Sequence, residues 1–195
     1  MKKLRWLVWG FYVLLNSLRV ISFVAGILLI GISAVLLYQH YSPQRIAFAS
    51  EKLVNSGPVR SHLDAKTVHI PVATISLPVF EGQIIEGKWQ VSSQGITHLL
   101  GTVSPGELGN SVFYGHNWTS LLGPLTQVKP DDLIQIEFSD GSMKDFKVKY
   151  TFEVSPNESS IIENTDFAQL TIYTCSGFLD SKRFVVIAVP INSYN

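Results

Sequence analysis

Cysteine is almost absent from this chain: of 195 residues, Cys175 is the only one. No intrachain disulfide is available, so the fold must rest on an apolar core. The five histidines and the lone thiol show no Cys-x2-Cys, His-x-His or His-x3-His spacing, and no metal is expected. Glu81, Glu86, Asp131 and Asp132 are dispersed carboxylates of the kind that solvate a surface rather than grip calcium. There is no Gly-x-Gly-x-x-Gly and no phosphate-cradling loop, so no nucleotide or other cofactor is expected. Charge is sparse at 15%, and no basic stripe suited to nucleic acid occurs. Internal repeats and low-complexity segments are missing as well.

One stretch lacks charge altogether. From Val20 to Tyr38 nineteen residues run without a charged side chain, rich in Ile, Leu, Val, Gly and Ala. At about 1.5 Å per residue this reaches across a hydrocarbon layer of roughly 30 Å. Trp6, Trp9, Phe11 and Tyr12 lie before it and are read as the interfacial flank of one long helix. Lys2, Lys3, Arg5 and Arg19 precede the apolar run, so the N-terminus is expected in the cytoplasm and the bulk of the chain outside. Beyond the run lie eleven basic and fifteen acidic residues, a formal charge of about −4 that the neutral total conceals. Ala47-Phe48-Ala49 has the form of a signal-peptidase site, but lies eleven residues past Tyr38, and an uncleaved anchor is expected. The expected organisation is a basic N-terminus at 1–19, a transmembrane anchor at 20–38, a linker at 39–66 and a folded domain at 67–195. A short helix is expected near Ile46–Leu53 within the linker.

The folded part reads as mainly β. Candidate strands are Val68–Ile75, Lys88–Val91, Asn110–His116, Leu133–Phe138, Met143–Val154, Gln169–Cys175 and Arg183–Ile191, each rich in β-branched or aromatic residues. Asp140-Gly141 marks a hairpin turn. Pro71, Pro78 and Pro105 suit edges and loops better than central strands. Short helical turns are expected near Ser120–Gln127 and Ser159–Phe167. Many short strands with few helices point to a closed or nearly closed barrel.

Three residues carry the chemistry. Cys175 ends one β run and Arg183 heads the next, with the turn formers Ser176 to Lys182 between them. If the two runs pair antiparallel, a thiol and a fixed positive charge meet at one end of a sheet. A thiolate attacking a carbonyl generates an oxyanion, to which a guanidinium donates hydrogen bonds. His116 ends another apolar run, just after Gly115, and supplies a group for proton transfer. A nucleophile, an acid/base and an anion stabiliser are the parts of acyl transfer through a thioester. Taken singly, each has a blander reading: a core cysteine, a surface arginine beside Asp180, a loop histidine bonded to backbone. Unperturbed pKa values of about 8.5 and 6.5 leave only a few per cent thiolate at pH 7. Either the surroundings lower the thiol value, or the reaction runs through a minor thiolate–imidazolium pair. His40 and His62 fall in the linker, and His69 and His98 in or beside strands, where structural roles are the expectation.

Thr171-Ile172-Tyr173-Thr174-Cys175 resembles the Thr-Leu-x-Thr-Cys signature of the sortases, with Ile172 in place of Leu. Arg183 falls where their arginine follows the cysteine, and Pro105 to Asn110 leading to Gly115-His116 resembles the approach to their histidine. The likeness runs from about Val68 to Ile191. It implies a sortase-type closed barrel of about eight strands with one or two short helices, preceded by a transmembrane helix. It further implies a cysteine transpeptidase acting on exported proteins with a C-terminal sorting signal. The acyl group would pass from the thioester to an amine acceptor, a cell-wall precursor or a pilin lysine. Carried onto this chain, Cys175 is the nucleophile, His116 the acid/base and Arg183 the oxyanion-stabilising residue, with Thr174 and Asn117 as substrate contacts. The subclass stays open among class D-, E- and A-like enzymes. The single N-terminal anchor is more like wall-anchoring classes than pilus-assembling ones.

Two other readings remain at this stage. A cysteine protease would use the same residues and release its product to water, and products formed with and without an added amine separate the two. A non-catalytic, membrane-tethered binding domain would keep Cys175 buried and inert to iodoacetamide.

Overall fold

The computed structural model describes residues 2–48 and 64–191 and divides into two compact units, Met1–Ser42 and Pro43–Asn195. The first is a single helix, α1 (Lys2–Tyr41). No proline interrupts it, and Pro43 disfavours helical geometry at Ser42 and ends it there. The two apolar stretches of the sequence thus belong to one helix. Within it Ser17–Tyr38, 22 residues, is long and apolar enough to cross a membrane. His40, read from sequence as part of a linker, lies in the last turn of α1.

Among the described residues the second unit contains ten strands: β1 (Ala65–Ile70), β2 (Ile75–Gly82), β3 (Ile84–Ile85), β4 (Lys88–Trp89), β5 (Ile96–Leu99), β6 (Gly109–Tyr114), β7 (Leu133–Phe138), β8 (Met143–Val154), β9 (Ala168–Ser176) and β10 (Lys182–Pro190). Eight close into a barrel in the order β1-β2-β5-β6-β9-β10-β8-β7, with β7 returning to β1. β3 and β4 form a separate ribbon. Closure removes the exposed strand edges that an open sheet would have to protect. The closed eight-strand barrel expected from sequence is the one observed.

The local differences have plain causes. Val68–Ile75 was expected as one strand, yet a 3-10 turn at Pro71–Ala73 splits it into β1 and β2. Pro71 fixes its own φ, and Thr74 closes the turn in the left-handed region, at φ 52°. Pro78 is tolerated inside β2 because pairing with β1 ends there, at Thr67↔Pro78, and pairing with β5 begins at Val79↔Ile96. β5 has only four residues, too few for its alternation to be read. The β7–β8 turn forms as its sequence suggests: Gly141 takes φ 84°, and Asp140 Oδ1 accepts from the Ser142 amide and hydroxyl. The expected helical turns appear as 3-10 segments at Gly123–Gln127 and Ser159–Ile162. Near Ile46–Leu53 the structure has a 3-10 turn at Pro43–Ile46, and residues 49–53 lie outside the described range.

β9 is buried on both faces, which explains a run from Gln169 to Cys175 without a single charge. Leu170 and Ile172 join the barrel interior with Val68, Ile134, Phe146 and Val186. The alternate residues Tyr173 and Cys175 face outward into a second apolar cluster with Val112, Tyr114 and Val185. Trp89, Ile162, Ile46 and Phe48 belong to that cluster as well. The second cluster holds the candidate site.

Candidate active site

Three strand ends converge. β10 runs antiparallel to β9 with Arg183 directly opposite Cys175, so both side chains leave the same face. β6 runs parallel to β9 with Tyr114 opposite Tyr173. His116 follows two residues after the end of β6, beyond the last paired residues of the two strands. The Thr174 hydroxyl donates to the Gly115 carbonyl at 2.8 Å and ties the two strand ends together. Thr174, expected as a substrate contact, alternates away from Cys175 and is fully buried, and its hydroxyl braces the residue before His116. The imidazole of His116 stacks on Trp118, with ring centroids 4.4 Å apart and planes 6° apart. Asn117, the other expected substrate contact, donates through Nδ2 to Asp180 Oδ1 at 3.0 Å.

The thiol of Cys175 is 6% exposed and donates to the Arg45 carbonyl, Sγ to O 3.3 Å. Burial pushes its pKa up to about 11, although the positive charges of Arg183 and Arg45 pull it down. The sulfur is therefore protonated at neutral pH in this closed state. Arg183 is 3% exposed, and its guanidinium spans four backbone carbonyls. NH1 donates to Asp180 and Lys182 at 3.0 and 2.9 Å, Nε to Ile46 at 3.3 Å and NH2 to Ala47 at 2.9 Å. A buried cation needs such partners, because an unpaired one would cost several kcal/mol. Phe48 adds a ring 5.9 Å from the guanidinium carbon.

Sequence reasoning missed the residues Arg45–Phe48. They fall in what was read as linker 39–66, but Ile46 and Phe48 are buried in the second cluster, and Ala65 and Lys66 already belong to β1. Arg45 forms an ion pair with Asp180 at 2.8 Å. The available signal was the apolar pair Ile46 and Phe48 at a spacing of two. Burying two such side chains stabilises docking by roughly 1.5–3 kcal/mol each. Ordering four residues of backbone costs about 1–2 kcal/mol each. The two nearly cancel, so the hydrogen bonds to Arg183 and Cys175 decide the balance.

Iodoacetamide modification should therefore be slow at pH 8 and quicken toward pH 11. The sign follows from the raised pKa: docking favours the protonated thiol below about 9 and loosens as pH climbs toward 11. Ile46→Asp combined with Phe48→Asp places carboxylates where burial is prohibitive and expels the segment. The rate at pH 8 is then expected to rise roughly tenfold to a hundredfold. An unchanged rate in a folded variant would mean that the segment does not shield the thiol. Slow labelling of the wild-type protein follows from this geometry for an enzyme as well, so that test does not separate enzyme from binding module.

Two further histidines, His98 and His69, have structural partners. His98 stacks on Phe113, and its Nε2 lies 3.2 Å from both the Val103 carbonyl and the Thr102 hydroxyl; burial lowers its pKa to about 4. His69 pairs with the Ser76 hydroxyl at 3.1 Å. Among the described residues no group of three or more His, Cys, Asp or Glu is arranged to hold a metal ion.

No curated protein matched the sequence. Among solved structures, sortase A from Listeria monocytogenes is 25% identical with a TM-score of 0.54, covering 66% of this chain and 89% of that one. A lid mutant of sortase A from Corynebacterium diphtheriae is 22% identical with a TM-score of 0.57, covering 83% and 95%. A lid mutant of Streptococcus agalactiae sortase C1 is 21% identical with a TM-score of 0.58, covering 70% and 76%. The sortase domain model matches residues 68–191, well over half of the sequence, from within β1 to just past the end of β10. With that match laid over this barrel and its signature strand, the chain belongs to the sortase family of cysteine transpeptidases.

Proposed function

We propose that this protein is a membrane-anchored transpeptidase in which Cys175 attacks a peptide bond of an exported protein near its C-terminus. The observation that carries the reading is the register of β6, β9 and β10, with Arg183 opposite Cys175 and His116 at the neighbouring strand end. For the reaction the segment Arg45–Phe48 leaves the groove. Cys175 then loses the Arg45 carbonyl and gains solvent, and its raised pKa relaxes. Nε and NH2 of Arg183, released from Ile46 and Ala47, point at an incoming carbonyl, while NH1 stays anchored on Asp180 and Lys182. His116 takes the thiol proton as the sulfur adds to the scissile carbonyl, the oxyanion is met by Arg183, and on collapse the C–N bond breaks and His116 passes the proton to the leaving amine. A second amine, deprotonated by His116, attacks the thioester and releases the sulfur. The accepting amine is that of a cell-wall precursor or a pilin lysine. The basic flank of α1 supports a cytoplasmic N-terminus with the barrel outside the cell.

The test is a peptide library offered to the full-length protein in detergent, with and without an added amine, and read by mass spectrometry. Amine-bearing products establish transpeptidation. Products carrying only water establish the protease reading, and a wild-type protein forming no thioester adduct on any peptide ends both.

A further inference from the structure

Tyr173 sits two residues before Cys175 on the same outward face of β9. Its ring is enclosed by three others: Phe48 edge-on at 4.9 Å, Tyr114 stacked at 5.7 Å and Trp89 at 6.5 Å. Its hydroxyl is shut off from solvent and has no hydrogen-bond partner among the described residues. The contrast with its neighbour is direct, because the Tyr114 hydroxyl donates to the Gln90 carbonyl at 2.6 Å. Buried phenol groups nearly always find an acceptor, and one left without calls for a reason. A core role alone would be served by phenylalanine.

We infer that the Tyr173 hydroxyl is a specificity donor for the peptide that replaces Arg45–Phe48 in the groove, bonding a backbone carbonyl about two residues from the cleaved bond. The inference rests on the transpeptidase reading above. The distance follows from the strand: two residues of β9 advance by about 6.6 Å, and an extended peptide laid over it advances at nearly the same pitch. The resident segment covers Tyr173 with the ring of Phe48 and gives it no acceptor. A peptide that brings a carbonyl there gains a contact the segment lacks. That difference, rather than affinity as such, drives the exchange. Within Thr171–Cys175, Thr171 is bonded to Asn110 and Gln169, Ile172 faces the barrel interior and Thr174 is spent on Gly115, which leaves Tyr173 as the signature residue besides Cys175 free to read a ligand.

The experiment uses the full-length protein in detergent and the library peptide that wild type cleaves fastest. Tyr173→Phe keeps the ring and removes only the donor, so the melting temperature is expected to stay level or rise. For the peptide, kcat/KM is expected to fall roughly tenfold. Iodoacetamide labelling of Cys175 is expected not to accelerate, because the closed segment loses no bond. An ester analogue of the same peptide, its acceptor weakened at the carbonyl two residues from the cleaved bond, is expected to hurt wild type but not the variant. Equal kcat/KM for wild type and Tyr173→Phe overturns the inference and leaves the transpeptidase standing. A wild type that forms no acyl-enzyme with any peptide removes both.

Discussion

Cys175→Ala is expected to abolish acyl transfer and leave the barrel folded. The reaction has no step without the sulfur, because the acyl group is carried on it between the two amines. Residual turnover from binding and oxyanion stabilisation would lie several orders of magnitude lower. The structural cost is small. The lost atom is one sulfur on the outer face of β9, and its bond to the Arg45 carbonyl is a weak thiol donation. A change of about 1 kcal/mol shifts the melting temperature by only a few degrees. The paired measurement is mass spectrometry for a thioester adduct and a thermal melt of the same sample. Product formation at near wild-type rate in a folded Cys175→Ala protein would remove the nucleophile assignment.

Arg183→Lys is expected to lower kcat/KM by about 10²–10³-fold, the range seen when one preorganised oxyanion donor is lost. The reason is geometric. Arg183 directs NH1 at two carbonyls of its own loop while Nε and NH2 face the groove. A guanidinium holds these directions in one rigid plane; an ammonium is a single point with three rotating donors and cannot serve both sides. Charge is conserved, so failure of the lysine variant separates the fork from the charge. Steady-state kinetics with the library peptide check it. Near-normal kcat/KM would make Arg183 a structural clamp for the β9–β10 loop. That loop needs one: Leu179 and Asp180 both take positive φ, at 51° and 57°, a conformation that other contacts must hold in place.

The β9–β10 pairing was readable in the chain because both runs are long, apolar and separated by turn residues, and an antiparallel hairpin must set their facing ends side by side. The β7–β8 turn was readable for a similar reason, since Asp140-Gly141 suits a tight reversal. β2 and β5 were not, because their parallel pairing joins residues that no local turn connects. The place of His116 was half readable. Its strand announced itself, but a parallel neighbour for β9 is a choice of topology, made through contacts some sixty residues apart.

The membrane-length helix, the β-rich second unit and the types of the three reactive residues were properties of the sequence alone, because they follow from composition, periodicity and motif. Tertiary structure alone decided that Thr174 turns inward, that Tyr173 keeps an unanswered hydroxyl, and that Arg45–Phe48 lie across the thiol. The physical reason is that a short segment of modest hydrophobicity has no preference of its own. Its place is set by a groove whose walls come from β4, β6, β9, β10 and the Ser159–Ile162 turn, and that groove exists only after the barrel has closed.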